Sequence, residues 1–551
     1  MSANSASPHF LDQPKAVWAT AFACVVGFMS IGLVDPILTS IAAGLNASPS
    51  QVSLLFTSYF FVTSVMMLVT GFVSSRLGGR KTLMVGALLI VTFSALAGTS
   101  QSVGELVAFR AGWGLGNAFF VVTALSVIVA SSRGGTAAAI LMYEAALGLG
   151  ISAGPLLGAA LGGMSWRYPF FGTATLMAIG FVAVAVLLPE LPKPKEKIAI
   201  TAPLKALRQP GLLTTAVAAA FYNYAFFTVL AFVPFVLQMS AHAVGLIFFG
   251  WGLLLAVFSV LVAPRLQARL SAPLLLAACL VLFAVLLMVM AFSSVEIVAA
   301  CVVLSGALMG VCNTVFTEMA LEVSTVPRPV ASAAYNFVRW FAGVVAPYAA
   351  PLLAESFGAH MAFYVACVAA LISPIVLFAR RSSLGRYSGL REGAGEALGA
   401  VPPIAALAAV DGTDQDWGVL KRAAEIAPKD ETVFVLHVRP FEVVDEDAVD
   451  AESEAEAAAV LDRALVFLQK QGVSAEGEVV EAGAVHVAQT ILGRAEAVDA
   501  PILVIGERHR DDIGNLVHGS VADAMERQVE QGLRLLTVAA PELLRDGATA
   551  R

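Results

Sequence analysis

Residues Gly150–Ala159 read GISAGPLLGA, within an apolar run long enough for one continuous helix. Pro155 has no amide proton to give the carbonyl of residue 151, and its ring crowds that carbonyl, so the helix is expected to bend there. Gly150, Gly154, Gly158 and Gly162 recur every four residues. That spacing lays small residues in a row along which a neighbouring helix can approach closely. A helix that bends and is gripped along one edge is what a rocking interface between two bodies requires.

The flanking sequence says what surrounds it. Hydrophobic residues make up 58% of the 551, charged ones only 13%, and the mean hydropathy is +0.82, which excludes an ordinary soluble protein. About 20 apolar residues carry a helix across the hydrocarbon core. Twelve stretches reach that length, at roughly residues 17–40, 51–73, 82–101, 104–130, 136–161, 168–189, 211–239, 243–264, 272–293, 295–321, 330–355 and 360–379. An even number puts both ends on one side.

Even-numbered connections carry Arg76, Arg80, Lys81, Arg133, Lys193, Lys195, Lys197, Lys205, Arg208, Arg265, Arg269 and Arg328. Arg380, Arg381 and Arg386 follow the last span. Odd-numbered connections hold Arg167 beside Glu105, Glu296 and Glu355. The positive-inside rule therefore makes both termini cytoplasmic, in a multi-pass protein of the plasma or inner membrane. The start, MSANSASPHFLDQPK, lacks the basic opening and cleavage site of a secretory signal and reads as a cytoplasmic lead-in. Cys24, Cys279, Cys301, Cys312 and Cys367 all fall in apolar segments without metal-type spacing, so they read as small buried hydrophobes and no metal site is expected.

Charge divides the chain. Residues 1–400 carry a net charge of +8 and residues 401–551 carry −15. The long Pro- and Lys-rich connection ELPKPKEKIAITAPLKALRQPG separates six spans from six. The fold expected is all-α in the membrane, twelve helices in two six-helix bundles, followed by a cytoplasmic α/β domain. The divisions are 1–190 and 211–382 for the bundles, 191–210 for the central linker, 383–402 for a flexible linker and 403–542 for the tail domain.

Three motifs fall in order along the first half. GFVSSRLGGRKTL (Gly71–Leu83) joins spans two and three, RAGWGLGNA (Arg110–Ala118) lies in span four, and GISAGPLLGA lies in span five. Together they resemble the signatures of the major facilitator superfamily over roughly residues 15–380. In the first motif Gly71, Arg76, Gly78 and Arg80 fit, but Ser75 stands where the family usually has an Asp that holds the inward gate shut. Ser75 can donate or accept a hydrogen bond yet brings no charge. The resemblance assigns gating to these five residues, with Gly150, Gly154, Pro155 and Gly158. The Gly-Pro pattern of span five is that of drug-exporting members, and it implies export by antiport.

Acids within spans are expensive and are functional candidates by default. Asp35 lies in span one, Glu144 in span five and Glu318 near the cytoplasmic end of span ten. Exporters of this kind often pair an acid of span one with the Arg of span four, so Asp35 with Arg110 is the first proton-coupling pair. Glu144 is eleven residues from Pro155, within about 20° of it on a helical wheel, and shares the seam face. Glu318 reads as a solvated or gate residue. The candidate substrate cavity is aromatic and weakly polar, with Tyr59, Tyr143, Tyr222, Asn223, Phe226, Asn313 and Arg339.

The acidic tail alternates strands and helices, which means a parallel sheet. It resembles a universal stress protein domain, Rossmann-like, through Val410-Asp411-Gly412-Thr413, His437-Val438, Asp499, Gly506 and Gly519-Ser520. The resemblance implies a phosphate-binding segment at Gly506, His509, Gly519 and Ser520, with Asp411 at the first strand. His509 stands where nucleotide-binding members have Gly. ATP or another adenine nucleotide is the ligand this implies; the alternative is a stabilising or dimerising domain with an empty site.

Together these readings give a proton-driven exporter of small amphipathic compounds. It needs no cofactor for transport and has the bilayer, protons and a small-molecule substrate as partners. No catalytic constellation and no nucleic-acid-binding pattern is present. The alternatives are a solute importer or facilitator of the same fold, and a membrane sensor that signals through its tail.

Overall fold

In this computed structural model the described residues are 13–538, apart from 133–134, 192–196, 268, 389–402, 414, 429–430, 445–446, 451, 507–524 and 526–532. They divide into two compact units, one of residues up to 390 together with 443–449 and one of the rest of the tail.

In the first unit twelve helices are long and apolar enough to cross a membrane. Spans 1 to 6 are Lys15–Gly44, Pro49–Leu77, Gly79–Thr99, Val103–Ser131, Ala145–Gly162 and Tyr168–Leu187. Spans 7 to 12 are Pro210–Leu237, Ala241–Gln267, Ala272–Phe292, Val295–Glu322, Arg328–Phe357 and Ala359–Ala379. Local chemistry sets several ends. Ser48 and Gln51 cap span 2 reciprocally, with Pro49 at its first position. Gly78, at φ +89°, ends span 2 and starts span 3, a conformation that favours glycine. Span 1 is interrupted: helix Lys15–Gly32 gives way to a 3-10 turn at Asp35–Ile37 and resumes at Leu38–Gly44. Pro36, without an amide proton, sits in that break.

The helix that carries span 5 begins at Gly135 and runs without interruption through Pro155 to Gly162. Its glycine row packs against span 1 of the same half. A Cβ on Gly150 would lie 2.6 Å from Val25 O, on Gly154 2.5 Å from Met29 O, and on Gly158 2.2 Å from Leu33 O. The gripping edge that the sequence assigns to the boundary between halves therefore lies inside the first half. The reason is angular. A four-residue step turns about 40° beyond a full circle, so the row winds with span 1 as the two helices cross. Gly148, Ile151, Pro155 and Ala159 share another face, and it is this face that meets span 8. There the small residues belong largely to the partner: a Cβ on Gly245 would lie 2.6 Å from Ala159 Cβ, and one on Gly252 3.0 Å from Ile151 Cγ2.

The halves also meet at the end of the bundle away from the chain termini. Ser50 donates from its backbone N–H and its hydroxyl to the Glu355 carboxylate, each at 3.1 Å. Thr57 donates to Val344 O at 3.0 Å. Phe60 of span 2 packs against Phe227 (ring centroids 4.4 Å) and Trp340 (5.3 Å) of the second half. At the terminus end, a short helix of the central linker, Ala202–Ala206, packs on span 11.

Five strands of the second unit form a parallel sheet. β1 (Ile404–Val410) lies between β2 (Thr432–Val444) and β5 (Ile502–Gly506). The short β3 (Asp447–Asp450) is next to β2, β4 (Ser474–Gly483) also pairs with β2, and β6 (Arg534–Val538) pairs with β5. Alternate β1 residues feed two cores: Leu407 joins Leu436 and Leu503, while Ala406 and Ala408 join Val433, Leu420 and Val504. A sheet buried on both faces explains the nearly continuous apolar reading of IAALAAV.

Candidate transport site

The break in span 1 delivers Asp35 into the protein interior. It is 1% exposed, and neither carboxyl oxygen has a hydrogen-bond partner among the described residues. Arg110 of span 4 is fully buried, and its three nitrogens are likewise without hydrogen-bond partners among them. The two groups lie within Coulombic range of each other. The guanidinium carbon stands 4.5 Å over the Tyr59 ring and 4.6 Å over that of Trp113, two faces that attract a cation. The expected pair is thus brought together, cushioned by aromatic rings. The Glu144 side chain lies outside the described residues. Glu318 departs from its solvated reading: it is 4% exposed and accepts a hydrogen bond from Gln267, because the end of span 8 folds across it.

A cavity lies at mid-depth between the halves, with about 90 Å³ of water-accessible space. Its lining includes Asn223, Phe226, Asn313 and Arg339, four of the residues expected from sequence. The three tyrosines are not in the lining. Tyr59 lies beneath Arg110, Tyr143 packs edge-on against Phe28 at 5.5 Å, and Tyr222 donates its hydroxyl to Met309 O at 2.9 Å and stacks on Phe316. Each is 1% exposed or less; a phenol that finds a buried partner has a reason to stay out of the cavity.

Sequence reasoning leaves out Asn117, Ser259 and Trp340, all of which line the cavity. Asn117 stands in the quoted span-four motif, so a lone polar residue on that helix is the available signal. Ser259 lies in a π-helical turn, Phe258–Val262, and shares a hydrogen bond with Thr314 at 2.7 Å. Such a turn is not readable from apolar periodicity.

Arg339 donates through Nη1 to Asn313 Oδ1 at 2.8 Å and Thr317 Oγ1 at 3.4 Å. The pair and the cavity share helices. Span 1 supplies Phe28 and Gly32 to the lining and Asp35 to the pair; span 4 supplies Asn117 and Val121 to the lining and Arg110 to the pair.

This architecture matches one family along most of the chain: residues 20–239 and 216–426 fit the Major Facilitator Superfamily. The chain belongs to the major facilitator superfamily. Residues 405–531 fit the universal stress protein family. Over 385 residues the chain is 48% identical to the multidrug efflux protein YfmO of Bacillus subtilis (strain 168), spanning 70% of this chain and 96% of that one. Among solved structures, an inward-facing, occupied bacterial homologue of the human lysosomal transporter Spinster aligns with TM-score 0.56 at 14% identity, over 68% of this chain and 96% of that one. A D-xylose–proton symporter aligns with TM-score 0.55, also at 14% identity, over 66% of this chain and 96% of its own. Both likenesses concern the fold alone.

Within this superfamily member the last turn of span 2 uses Ser75 in an uncharged way. Its hydroxyl accepts from Ile198 N–H at 3.3 Å and donates to Phe72 O at 3.1 Å. Arg76 donates to Ile198 O and Phe72 O, both at 3.0 Å, and its guanidinium lies 3.6 Å over the Phe72 ring. Gly71 leaves room for Ile198, whose Cδ1 would lie 3.4 Å from an added Cβ. Arg80 turns to the end of span 6, pairing with Glu190 at 2.8 Å and donating to Ala185 O at 2.9 Å. The end of span 2 therefore clamps both backbone groups of one linker residue, Ile198.

In the stress-protein domain, His509, Gly519 and Ser520 lie outside the described residues. Asp411 accepts from the Thr413 N–H at 3.0 Å, and Gly412 follows at φ +85°. The backbone N–H groups of Asp411 and Gly412 both donate to the Asp416 carboxylate, at 2.9 Å. Burial, with the Asp411 charge nearby, pushes Asp416 up to about 6, against the pull of those two hydrogen bonds. Gln415 packs over Gly506, its Oε1 2.7 Å from where a Cβ would stand. Gln415 and Asp416 thus occupy the crevice at the strand ends where open α/β sheets usually bind ligands.

Proposed function

We propose that this chain is a proton-coupled efflux transporter of small amphipathic compounds, with the mid-depth cavity as its substrate site and Asp35–Arg110 as its coupling pair. The observation that carries the reading is the sharing of spans 1 and 4 between the buried pair and the cavity. Protonation of Asp35 removes the charge that Arg110 faces. Any shift of span 1 against span 4 that follows moves the cavity wall with it. Export as the direction of transport rests on likeness to the efflux relative and on the Gly-Pro pattern of span 5. The Arg- and Lys-rich connections support a cytoplasmic position for both termini and the stress-protein domain.

We assign that domain a regulatory role. Asp411 and Gly506 stand at a strand end fit for a nucleotide, but an adenine nucleotide there would have to displace Gln415 from Gly506. Binding of an adenine nucleotide and dimerisation through the domain are the two routes to it.

The test is transport in sealed vesicles under an imposed pH gradient, with amphipathic dyes as cargo. Asp35→Asn should abolish uphill transport, by at least tenfold, while dye binding and folding persist. Gradient-driven transport that survives in Asp35→Asn would remove Asp35 from the mechanism. Binding without transport of any dye would instead favour a sensor.

A further inference from the structure

We infer that the stress-protein domain carries a docking surface for an anionic lipid leaflet, centred on Trp417. The inference rests on the cytoplasmic position of that domain, as proposed above. Its first support is an exposed apolar patch. Helices Asp416–Ile426 and Glu454–Lys470 cover one face of the sheet, burying Val419, Leu420, Ala423, Val460, Ala464 and Leu468 against it. Trp417 of one helix meets Phe467 of the other, with ring centroids 5.3 Å apart. Trp417 is 45% exposed and Val466, next to Phe467 in the chain, 48%. Among the described residues of the tail no other large hydrophobic is as open. The two most exposed apolar side chains of the domain thus flank one ring pair. An indole with one face packed and one edge free is the side chain that settles at the headgroup level of a bilayer.

The second support is the rim. Lys421 follows Trp417 by one helical turn. Arg463, Lys470 and Val466 fall within about 100° of Phe467 on the helical wheel, on the side away from the core residues. Lys421, Arg463 and Lys470 are all exposed, and none has an ion-pair partner among the described residues. Other bases of the domain are neutralised: Arg422 pairs with Glu425, Arg439 with Glu481 and Arg494 with Glu478. The acids of the two helices stand off from the patch. Glu425 is held by Arg422 on the opposite flank of its helix, Glu456 is two turns before Arg463 and bonded to Ser453, and Asp462 lies past Val466.

The third support is charge complementarity. Residues 401–551 carry −15, so an anionic leaflet repels most faces of the domain. At physiological ionic strength charges more than about 8 Å away are largely screened, and only the face in contact decides. Three unpaired bases around an exposed indole make this face the one that attracts. Each base close to an anionic leaflet favours docking roughly fivefold. Docking therefore gives the domain two states, bound to the leaflet and free of it, which differ in salt and lipid dependence and which a regulatory role can use.

The test uses the full-length protein, one copy per lipid nanodisc, with the five native cysteines replaced and an NBD fluorophore on Gln469→Cys. Discs of phosphatidylcholine are compared with discs in which phosphatidylglycerol replaces about a third of it. NBD emission should rise at least twofold with the anionic lipid and fall back when salt is raised to about 0.5 M. Joint replacement Lys421→Gln, Arg463→Gln and Lys470→Gln should abolish the rise, and Trp417→Ala should at least halve it. Trp417→Ala is the deciding variant if the triple one fails to fold. Arg422→Gln, on the opposite flank, should leave the rise unchanged. Emission that ignores the anionic lipid would overturn the inference, as would a rise that survives both the triple variant and Trp417→Ala. A rise seen only in discs holding two copies would overturn it too and make a second copy the partner. A nanodisc leaves both faces of its bilayer open, so the outcome does not depend on which side of the cell membrane the domain occupies. Failure of docking and failure of the cytoplasmic assignment are therefore told apart.

Discussion

Asp35 and Arg110 are legible in the sequence because an ionisable residue in an apolar span has few harmless explanations. The tyrosines cannot be placed in the same way. An aromatic residue on a membrane helix serves packing as readily as a cavity, and only the partner decides: Met309 O for Tyr222, the Arg110 guanidinium for Tyr59. Asp416 has no mark in the sequence either, since nothing there says that the amides of Asp411 and Gly412 turn toward it. It carries a pH dependence of definite sign. Its folded value stands above the ordinary 3.8, so its contribution to stability is full at low pH and is lost as pH rises from about 4 through about 6. Hydrogen exchange over residues 404–427, corrected for intrinsic rates, should show protection falling across that window. In Asp416→Asn this part of the slope should vanish. Superimposable profiles for the two proteins would dismiss the effect.

At the level of elements, the spans and their order are legible because hydropathy over 20 residues is a strong signal, and the strands of the tail because their apolar runs are short and regularly spaced. Which face of span 5 meets which neighbour is not. Glycines mark a close approach but do not name the partner, and here the row at Gly150, Gly154 and Gly158 serves span 1. The boundary between halves is instead the face holding Gly148, where an added Cβ would stand 3.3 Å from Ala256 Cβ. A cysteine pair at Gly148 and Ala256, in a background without the five buried native cysteines, should therefore cross-link. The oxidised protein should lose transport and a reductant should restore it. A pair that cross-links with transport intact would mean that spans 5 and 8 do not move apart at this level.

For the whole molecule, the switch from net +8 to net −15 is enough by itself to tell the two units apart. The gate is less readable. Ser75 looks like a weakened gate when only side chains are compared, but its partner is the main chain of Ile198, which has no signature in sequence. Closure away from the termini depends in part on Glu355, whose carboxylate takes two hydrogen bonds from the first turn of span 2. The contact is exposed, so Glu355→Gln should cost about 1 kcal/mol and shift the balance of states roughly fivefold toward opening at that end. Distance distributions between spin labels on spans 2 and 11 would register the shift. Unchanged distributions would leave closure to the packing of Phe60 against Phe227 and Trp340.

The grip on Ile198 also sets a mechanical stop. On one side, Ser75 and Arg76 pin the linker to the first half. On the other, the helix beginning at Ala202 is docked on span 11 of the second. Only Ala199, Ile200 and Thr201 lie between, a leash of four peptide steps. Fully drawn out, such a leash reaches about 14 Å. Any wider parting of spans 2 and 11 at the terminus end must first unfasten one of its two anchors.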